Sequence, residues 1–489
     1  MILRIVIKGF KNLKETEVYF SSFTCIAGPN GVGKSNLFDA IQFLSMLADD
    51  NLIEAATSVR VEKDKKRSGA DVQNLFYHDG KRYVKEMSFE VDMIIPKTGI
   101  DHLGQEAKAT TTILKYKLKI GFIEKDFHNI NQSKQLLTIL SEELIPLSKI
   151  ETIASLKKIG AKTEWIKSVI EGKRQNAAAF IETDDINKEV IIRQDQSQGN
   201  KKKLKINLLP RTVISTANAI ENPTMLIAKK EMQSWRILQF EPSSLRSSDD
   251  IELIENPEVE VNGGHLPATL YRLVNDKKIT FDVKSQIALR LTELIEDIFE
   301  IDVDKDDKRN TLTLMVKGQH GPFLPARFLS DGTLRFLALS IMQSDPQMQG
   351  IICLEEPENG IHPHRIIPMI RLLQDIACDI TLPVDDDNPL RQVIINTHSP
   401  LVVGEITGGD LLFANTIKDT NGRHVVFNGL SKTWRANTTD NLINRADLIS
   451  YLISPSDQSQ ESRNETSQDN KKVKNRPEIV GQLNLFGVV

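Results

Sequence analysis

The chain has 489 residues, 40% of them hydrophobic and 26% charged, with a net charge of −4 at pH 7. That is enough apolar material for one large core or two moderate ones, and the balance excludes a globally basic nucleic-acid binder, so any DNA contact must come from a local patch. The three cysteines (Cys25, Cys353, Cys378) lie in apolar runs without metal-ligand spacing, and neither a signal peptide nor an uninterrupted apolar run of ~20 residues is present, so a reducing, cytoplasmic setting without membrane contact is expected.

Residues 2–9 (ILRIVIKG) and 16–20 (TEVYF) alternate as strands, and a third apolar run, 23–27, leads into Gly28-Pro29-Asn30-Gly31-Val32-Gly33-Lys34-Ser35. This is a full match to G-x-x-x-x-G-K-[ST], the phosphate-binding loop. Behind it, Leu37, Phe38, Ile41, Phe43 and Leu44 form the apolar face of a helix, and Asn36, Asp39 and Gln42 its polar side. In that strand–loop–helix setting the glycines let backbone N–H groups turn inward and the helix N-terminus adds its dipole. Lys34 would reach the β- and γ-phosphates and the Ser35 hydroxyl would ligate Mg²⁺. Asn30, Gly31, Gly33, Lys34, Ser35 and Asn36 are the candidate nucleotide-binding residues, and a nucleoside triphosphate is the expected ligand.

A polar segment, 59–69, is followed by two runs with one solvated face, 87–95 and 113–122, read as antiparallel strands. The segment 1–122 is thus the first part of an ATPase lobe. From 123 to 235 the pattern changes to a mixed α/β insertion. Helical periodicity is read at 136–147 and 153–170, with Lys157, Lys158, Lys162, Lys167, Lys173 and Arg174 on or beside the second, and Lys201-Lys202-Lys203-Leu204-Lys205 adds a basic run. Two readings stand: a contact surface for DNA phosphates, or a solvated helix face and a charged hairpin. Residues 236–453 return to a globular pattern, with an amphipathic helix at 284–299 and a strand at 311–318.

Within that second part, Phe328-Leu329-Ser330-Asp331-Gly332-Thr333 precedes an apolar helix, LRFLALSIM. Next, Gly350-Ile351-Ile352-Cys353-Leu354 makes a buried strand from whose C-terminal end Glu355 and Glu356 emerge, the place where parallel sheets put their chemistry. Glu355 supplies a hard oxygen for Mg²⁺, and Glu356 is the candidate general base for the attacking water. Asn359-Gly360-Ile361-His362-Pro363 follows, and a further strand, Val393-Ile394-Ile395, ends in Asn396-Thr397-His398-Ser399-Pro400.

In that order these motifs resemble the RecF/SMC-like ABC-type AAA ATPases, nearest to the ATPase components of OLD-family, Septu or PARIS anti-phage systems. The resemblance implies an ABC-type α/β P-loop ATPase with an N-terminal antiparallel β subdomain. It makes Ser330, Asp331 and Gly332 a signature motif acting in trans, in a homodimer or larger oligomer that sandwiches two ATP molecules. It gives Glu355 the place normally held by an aspartate, and His398 the role of sensing the γ-phosphate. It puts the turn Phe10-Lys11-Asn12-Leu13 near the base or phosphates and calls for a metal-contacting glutamine, for which Gln73 is the nearest candidate. Asp331, Thr333 and Glu355 depart from the usual pattern. The Toprim nuclease domain of OLD enzymes has no counterpart, and Val384-Asp385-Asp386-Asp387-Asn388 reads as a solvated turn. Nuclease or toxin activity is therefore expected in a separate effector protein.

Residues 454–489 form a polar tail, expected to be disordered, that carries Gln482-Leu483-Asn484-Leu485-Phe486. This resembles the bacterial sliding-clamp-binding peptide, with Gln482, Leu483, Leu485 and Phe486 as the contacts; folding back on its own domain and docking of a dedicated partner are the alternatives. The expected function is that of a dimerising, DNA-associated ATPase controlling an effector in phage defence or genome maintenance. The alternative is a scaffold that holds ATP and hydrolyses it only to reset assembly.

Overall fold

The computed structural model describes residues 1–59, 69–123, 137–172, 178–195, 201–251, 257–294, 298–419, 422–438, 441–443 and 445–452. Lys173, Arg174, the tail from 453 and its terminal peptide lie outside the described residues.

Apolar strands drive the architecture. Phe23–Ala27, Gly350–Glu355 and Arg391–Thr397 are buried almost throughout, as parallel strands covered on both faces must be. They form the middle of a seven-stranded sheet. Arg236–Leu238 pairs in parallel with Gly350–Glu355, then come Arg391–Thr397, Phe23–Ala27 and Leu411–Asp419, and Gly422–Leu430 closes a hairpin. Period-2 alternation divides their side chains between two cores. Ile26, Ile351, Cys353, Ile394, Leu412 and Ala414 face the core of the helix Lys34–Leu47. Cys25, Ala27, Ile352, Leu354, Val393, Ile395 and Phe413 face the core of the helices Leu266–Asn275, Val283–Leu294, Asp331–Ser344 and Ile366–Ile376.

The other face of the first core is an eight-stranded antiparallel sheet. Ile2–Phe10 lies between Leu13–Tyr19 and Glu86–Ile94, and Glu86–Ile94 pairs in turn with Ile113–Phe122. Gln392, fully buried, ties the two sheets together: its amide accepts from Ile2 N and donates to the carbonyls of Ile2 and Ser21, each at 2.8 Å.

The helix read at 136–147 is a strand, Leu137–Pro146, paired with Ile113–Phe122. The cause is a β-bulge. The register slips between Lys119 and Ile120, Leu140 becomes the extra residue, and the buried positions run Leu137, Ile139, then Glu142 and Leu144. That phase change gives an apolar spacing that imitates a helix. Strands Ile181–Asp184, Glu189–Arg193 and Lys201–Lys205 continue the same sheet to its edge. The lysine run is thus an edge strand, with Lys203 and Lys205 paired to Glu189 at 3.3 and 3.1 Å. The helix read at 153–170 is two, Lys149–Lys158 and Thr163–Val169, broken at Gly160, whose φ of 94° stops the first. Trp165, Ile166 and Val169 pack with Cys378 and Leu390 in a third, small core.

The stretch 384–388 is a turn: the Asp385 carboxylate accepts from Asp387 N and Asn388 N, and the Asn388 amide donates to the carbonyls of Asp379, Leu382 and Pro383. Among the described residues no group of His, Cys, Asp and Glu could by itself hold a metal ion, and no helix is long and apolar enough to cross a membrane.

Candidate nucleotide-binding and hydrolysis site

The phosphate loop leaves the C-terminal edge of the seven-stranded sheet and enters the helix Lys34–Leu47. Its glycines are there for space and backbone angle. A Cβ on Gly28 (φ 149°) would come within 2.5 Å of the Ala414 carbonyl oxygen. One on Gly33 (φ 106°) would sit 2.0 Å from the side-chain nitrogen of Asn12. Pro29, Asn30 and Gly31 form the exposed rim, while Lys34 is 5% exposed and curls its ammonium onto the carbonyls of Gly28 (2.7 Å) and Pro29 (3.0 Å). Burial lowers the Lys34 pKa, and the negative charges of Glu356, Glu358 and Glu355 oppose that shift without cancelling it. A triphosphate in the loop would add negative charge beside the buried ammonium and favour its charged form.

Asn12 is the loop's brace. It donates to the Val32 carbonyl (2.8 Å) and accepts from the Asn36 amide (2.7 Å). Next to it, Lys11 reaches Asp39 on the phosphate-loop helix at 2.6 Å. Asn36 thus turns its amide onto Asn12. The family resemblance points to this turn, but only the packing against Gly33 singles out Asn12 within it.

Register places the acidic edge beside the loop. Glu355 pairs with Asn396, and Asn396 with Ile26, so the three strands end level with the phosphate loop. The Asn396 amide lies 3.5 Å from the Ser35 hydroxyl. Glu356 has a φ of 45°, a left-handed conformation that costs a side-chain-bearing residue on the order of 1 kcal/mol. It is held there by its N–H, which donates to the Asn396 backbone and side-chain oxygens at 3.0 and 3.1 Å. The turn aims its carboxylate at two donors: Asn359 Nδ2 at 2.7 Å and His398 Nδ1 at 2.9 Å. Burial pushes the Glu356 carboxyl up, but the hydrogen bonds from Asn359 and His398, with the positive charges of His398 and Lys34, outweigh it and hold it below the usual range. Both side chains remain open to solvent, Glu356 at 29% and His398 at 39%, so a water or phosphate can reach them. Behind them Glu358 accepts from the Thr397 hydroxyl at 2.5 Å.

Gln73 falls in the 3-10 turn Gly69–Leu75, whose Leu75 carbonyl accepts from Lys11 N. A different glutamine stands beside the acids. Gln239 follows Leu238, which pairs with Leu354, and it lines a cavity of about 270 Å³ together with Glu355, Leu339 and Met369. In sequence, Gln239 is an ordinary polar residue after a three-residue strand; only the pairing of that strand with the acidic one reveals its place.

The residues read as a signature open the helix whose Arg335 and Leu339 line that same cavity, and Arg335 donates to the Asn359 carbonyl at 2.8 Å. Ser330 caps the helix Asp331–Ser344, its hydroxyl accepting from Thr333 N at 3.3 Å. That helix packs in the second core and the phosphate-loop helix in the first, so the sheet stands between them. Asp331 is paired at 2.5 Å with Arg246, a residue that sequence reading passed over. Of the remaining histidines in this region, His362 and His364 stack on each other at 5.2 Å.

A family model described as "AAA ATPase domain" matches residues 1–403. The DNA replication and repair protein RecF of Bacteroides thetaiotaomicron is 42% identical over 66 residues, 13% of this chain and 18% of that protein. RecF of Phocaeicola vulgatus is 35% identical over 99 residues, 20% and 22% respectively. The chain thus spans about a fifth of the length of these curated relatives. Among solved structures, the Smc head bound to the C-winged helix domain of ScpA aligns with a TM-score of 0.44 and 12% identity over 88% of this chain and 99% of that one. The SMC head domain of Thermotoga maritima aligns at 0.33 and 10%, over 87% and 98%. With a phosphate loop, an acidic strand end and a family match over most of its length, the chain belongs to the AAA ATPase domain family and is a P-loop ATPase.

Proposed function

We propose that this ATPase works as a DNA-associated homodimer in which each ATP is held between the phosphate loop of one subunit and the signature helix of the other. The observation that carries the hydrolytic part of the reading is the contact of Glu356 with both His398 and Asn359 at the sheet edge beside the phosphate loop. Glu356 would serve as a base held ionised and open to water, beside a lysine whose ammonium is met, among the described residues, by the Gly28 and Pro29 carbonyls. On ATP binding Lys34 would leave the Gly28 and Pro29 carbonyls for the phosphates. Glu356 would orient the attacking water and take its proton, and His398 would hold Glu356 in place and report the γ-phosphate. Ser35, Glu355 and Gln239 offer a hydroxyl, a carboxylate and an amide oxygen, a donor set that fits Mg²⁺, whose part would be to neutralise charge on the phosphates.

The separation of the signature helix from its own phosphate loop by the sheet supports a shared site. An association with DNA is supported by the RecF relatives, named for DNA replication and repair, and genome maintenance is the setting we favour over phage defence on that ground. A separate effector and a sliding-clamp contact through Gln482, Leu483, Leu485 and Phe486 complete the proposal for partners. Turnover per subunit should rise with protein concentration before levelling off, and duplex DNA should raise the plateau. Specific activity that is flat from nanomolar to micromolar protein would sink the shared site, and indifference to DNA would sink the DNA association.

A further inference from the structure

We infer that Arg246 is a positioning residue of the signature motif: it neutralises Asp331 and fixes the segment 327–331, so that a helix end carrying an acid can still receive a polyphosphate. The inference rests on the shared-site reading and deepens it. Asp331 occupies the first turn of the helix Asp331–Ser344. There a carboxylate suits the helix's own dipole but repels an incoming triphosphate. Arg246 answers that charge. Its Nη2 donates to Asp331 Oδ1 at 2.5 Å and to the Leu329 carbonyl at 3.1 Å, its Nε to the Arg327 carbonyl at 3.1 Å, and its Nη1 to the Pro242 carbonyl at 3.1 Å.

One planar guanidinium therefore spans both sides of the segment that presents Ser330. A lysine, a point donor on a flexible stem, could not hold these acceptors at once. The arginine is itself anchored, because Leu245 before it is 2% exposed in the second core. The pair stays partly open, Arg246 at 31% and Asp331 at 51%, so it lies at the surface where a second subunit's nucleotide would arrive.

The test is a double-variant cycle in full-length Glu356→Gln protein, reading ATP-driven association by sedimentation. Arg246→Ala should weaken association roughly tenfold, the scale of one charge-assisted hydrogen bond lost beside a like charge. Asp331→Gly alone should associate at least as tightly as the parent. The combination of Arg246→Ala with Asp331→Gly should recover the part of the loss that comes from the unpaired Asp331 charge, a recovery that misfolding could not produce, while the part from the lost bonds to the 327 and 329 carbonyls stays. A combined variant as weak as Arg246→Ala, or an Arg246→Ala protein equal to the parent, overturns the inference. A parent that does not associate with ATP at all overturns the shared site beneath it, and that result is distinct because it appears before any change at 246 or 331.

Discussion

The phosphate-loop edge and the signature edge are built to different degrees of completion. At the first, each side chain finds its partner within the chain: Asn12 braces the loop, Asn396 holds the Glu356 turn, and His398 with Asn359 clamps the carboxylate. At the second, Ala326 and Leu329 pack on the second core while their neighbours turn outward. Phe328 is 70% exposed and Leu324 51%, and the Arg327 guanidinium lies over the Phe328 ring at 5.5 Å. One edge is a closed network of hydrogen bonds at the proposed reaction site, and the other is a capped helix with an aromatic shoulder turned to solvent. The difference teaches that apolar surface at the signature is the half of the design that a second subunit is proposed to complete.

Removing the proposed base attacks the finished edge at its centre. Glu356→Gln should lower turnover by roughly 10³-fold while ATP binding persists, measured by phosphate release and nucleotide-binding titration. Near-normal release would remove Glu356 from the base role. Next in size is the brace. Asn12→Ala deletes two hydrogen bonds to the loop and opens space at Gly33, so ATP affinity should fall by roughly ten- to a hundredfold in a calorimetric titration. An unchanged affinity would make Asn12 a spectator.

The unfinished edge should respond differently. Phe328→Glu puts a charge on the exposed shoulder and should weaken ATP-driven association roughly tenfold, while the isolated subunit binds ATP as before. Equal losses of both would place Phe328 in folding instead.

The smallest effect is far from both edges. Glu142 is fully buried and accepts from Val213 N (2.7 Å), Ile214 N (2.9 Å) and the Tyr116 hydroxyl (3.2 Å), and burial pushes its pKa up to about 7 from the ordinary 4.5. A carboxyl whose pKa is raised on folding contributes stability that is full below about 4.5 and is lost as pH rises through about 7. That amounts to something on the order of 3 kcal/mol across the window. Melts of Glu142→Gln should lose this slope between about pH 4.5 and 7, with turnover little changed; parallel slopes in the two proteins would remove Glu142 as its source.

Much of the finished edge was legible in the sequence, because its chemistry is local. Gly28 to Ser35 is contiguous, and Glu355 and His398 each end an apolar run whose length marks a buried strand. What escaped is set by pairing between distant strands. Gln239 becomes an acid neighbour only because Leu238 pairs with Leu354, and Arg246 meets Asp331 across 85 positions of chain. The strand at 137–146 was misread because a bulge at Leu140 shifted its phase. Local patterns record a side chain's own face, and they carry no record of which strand will lie beside it.

The most direct test of the shared site is complementation between two inactive variants, Lys34→Ala and Ser330→Arg, mixed in equal amounts and assayed for ATP turnover. A mixed dimer would contain one ruined site, and one intact site built from the Ser330→Arg subunit's phosphate loop and the Lys34→Ala subunit's signature. With half the dimers mixed and one good site in each, activity should return to roughly a quarter of wild type. A mixture as inactive as its two components would contradict the shared site.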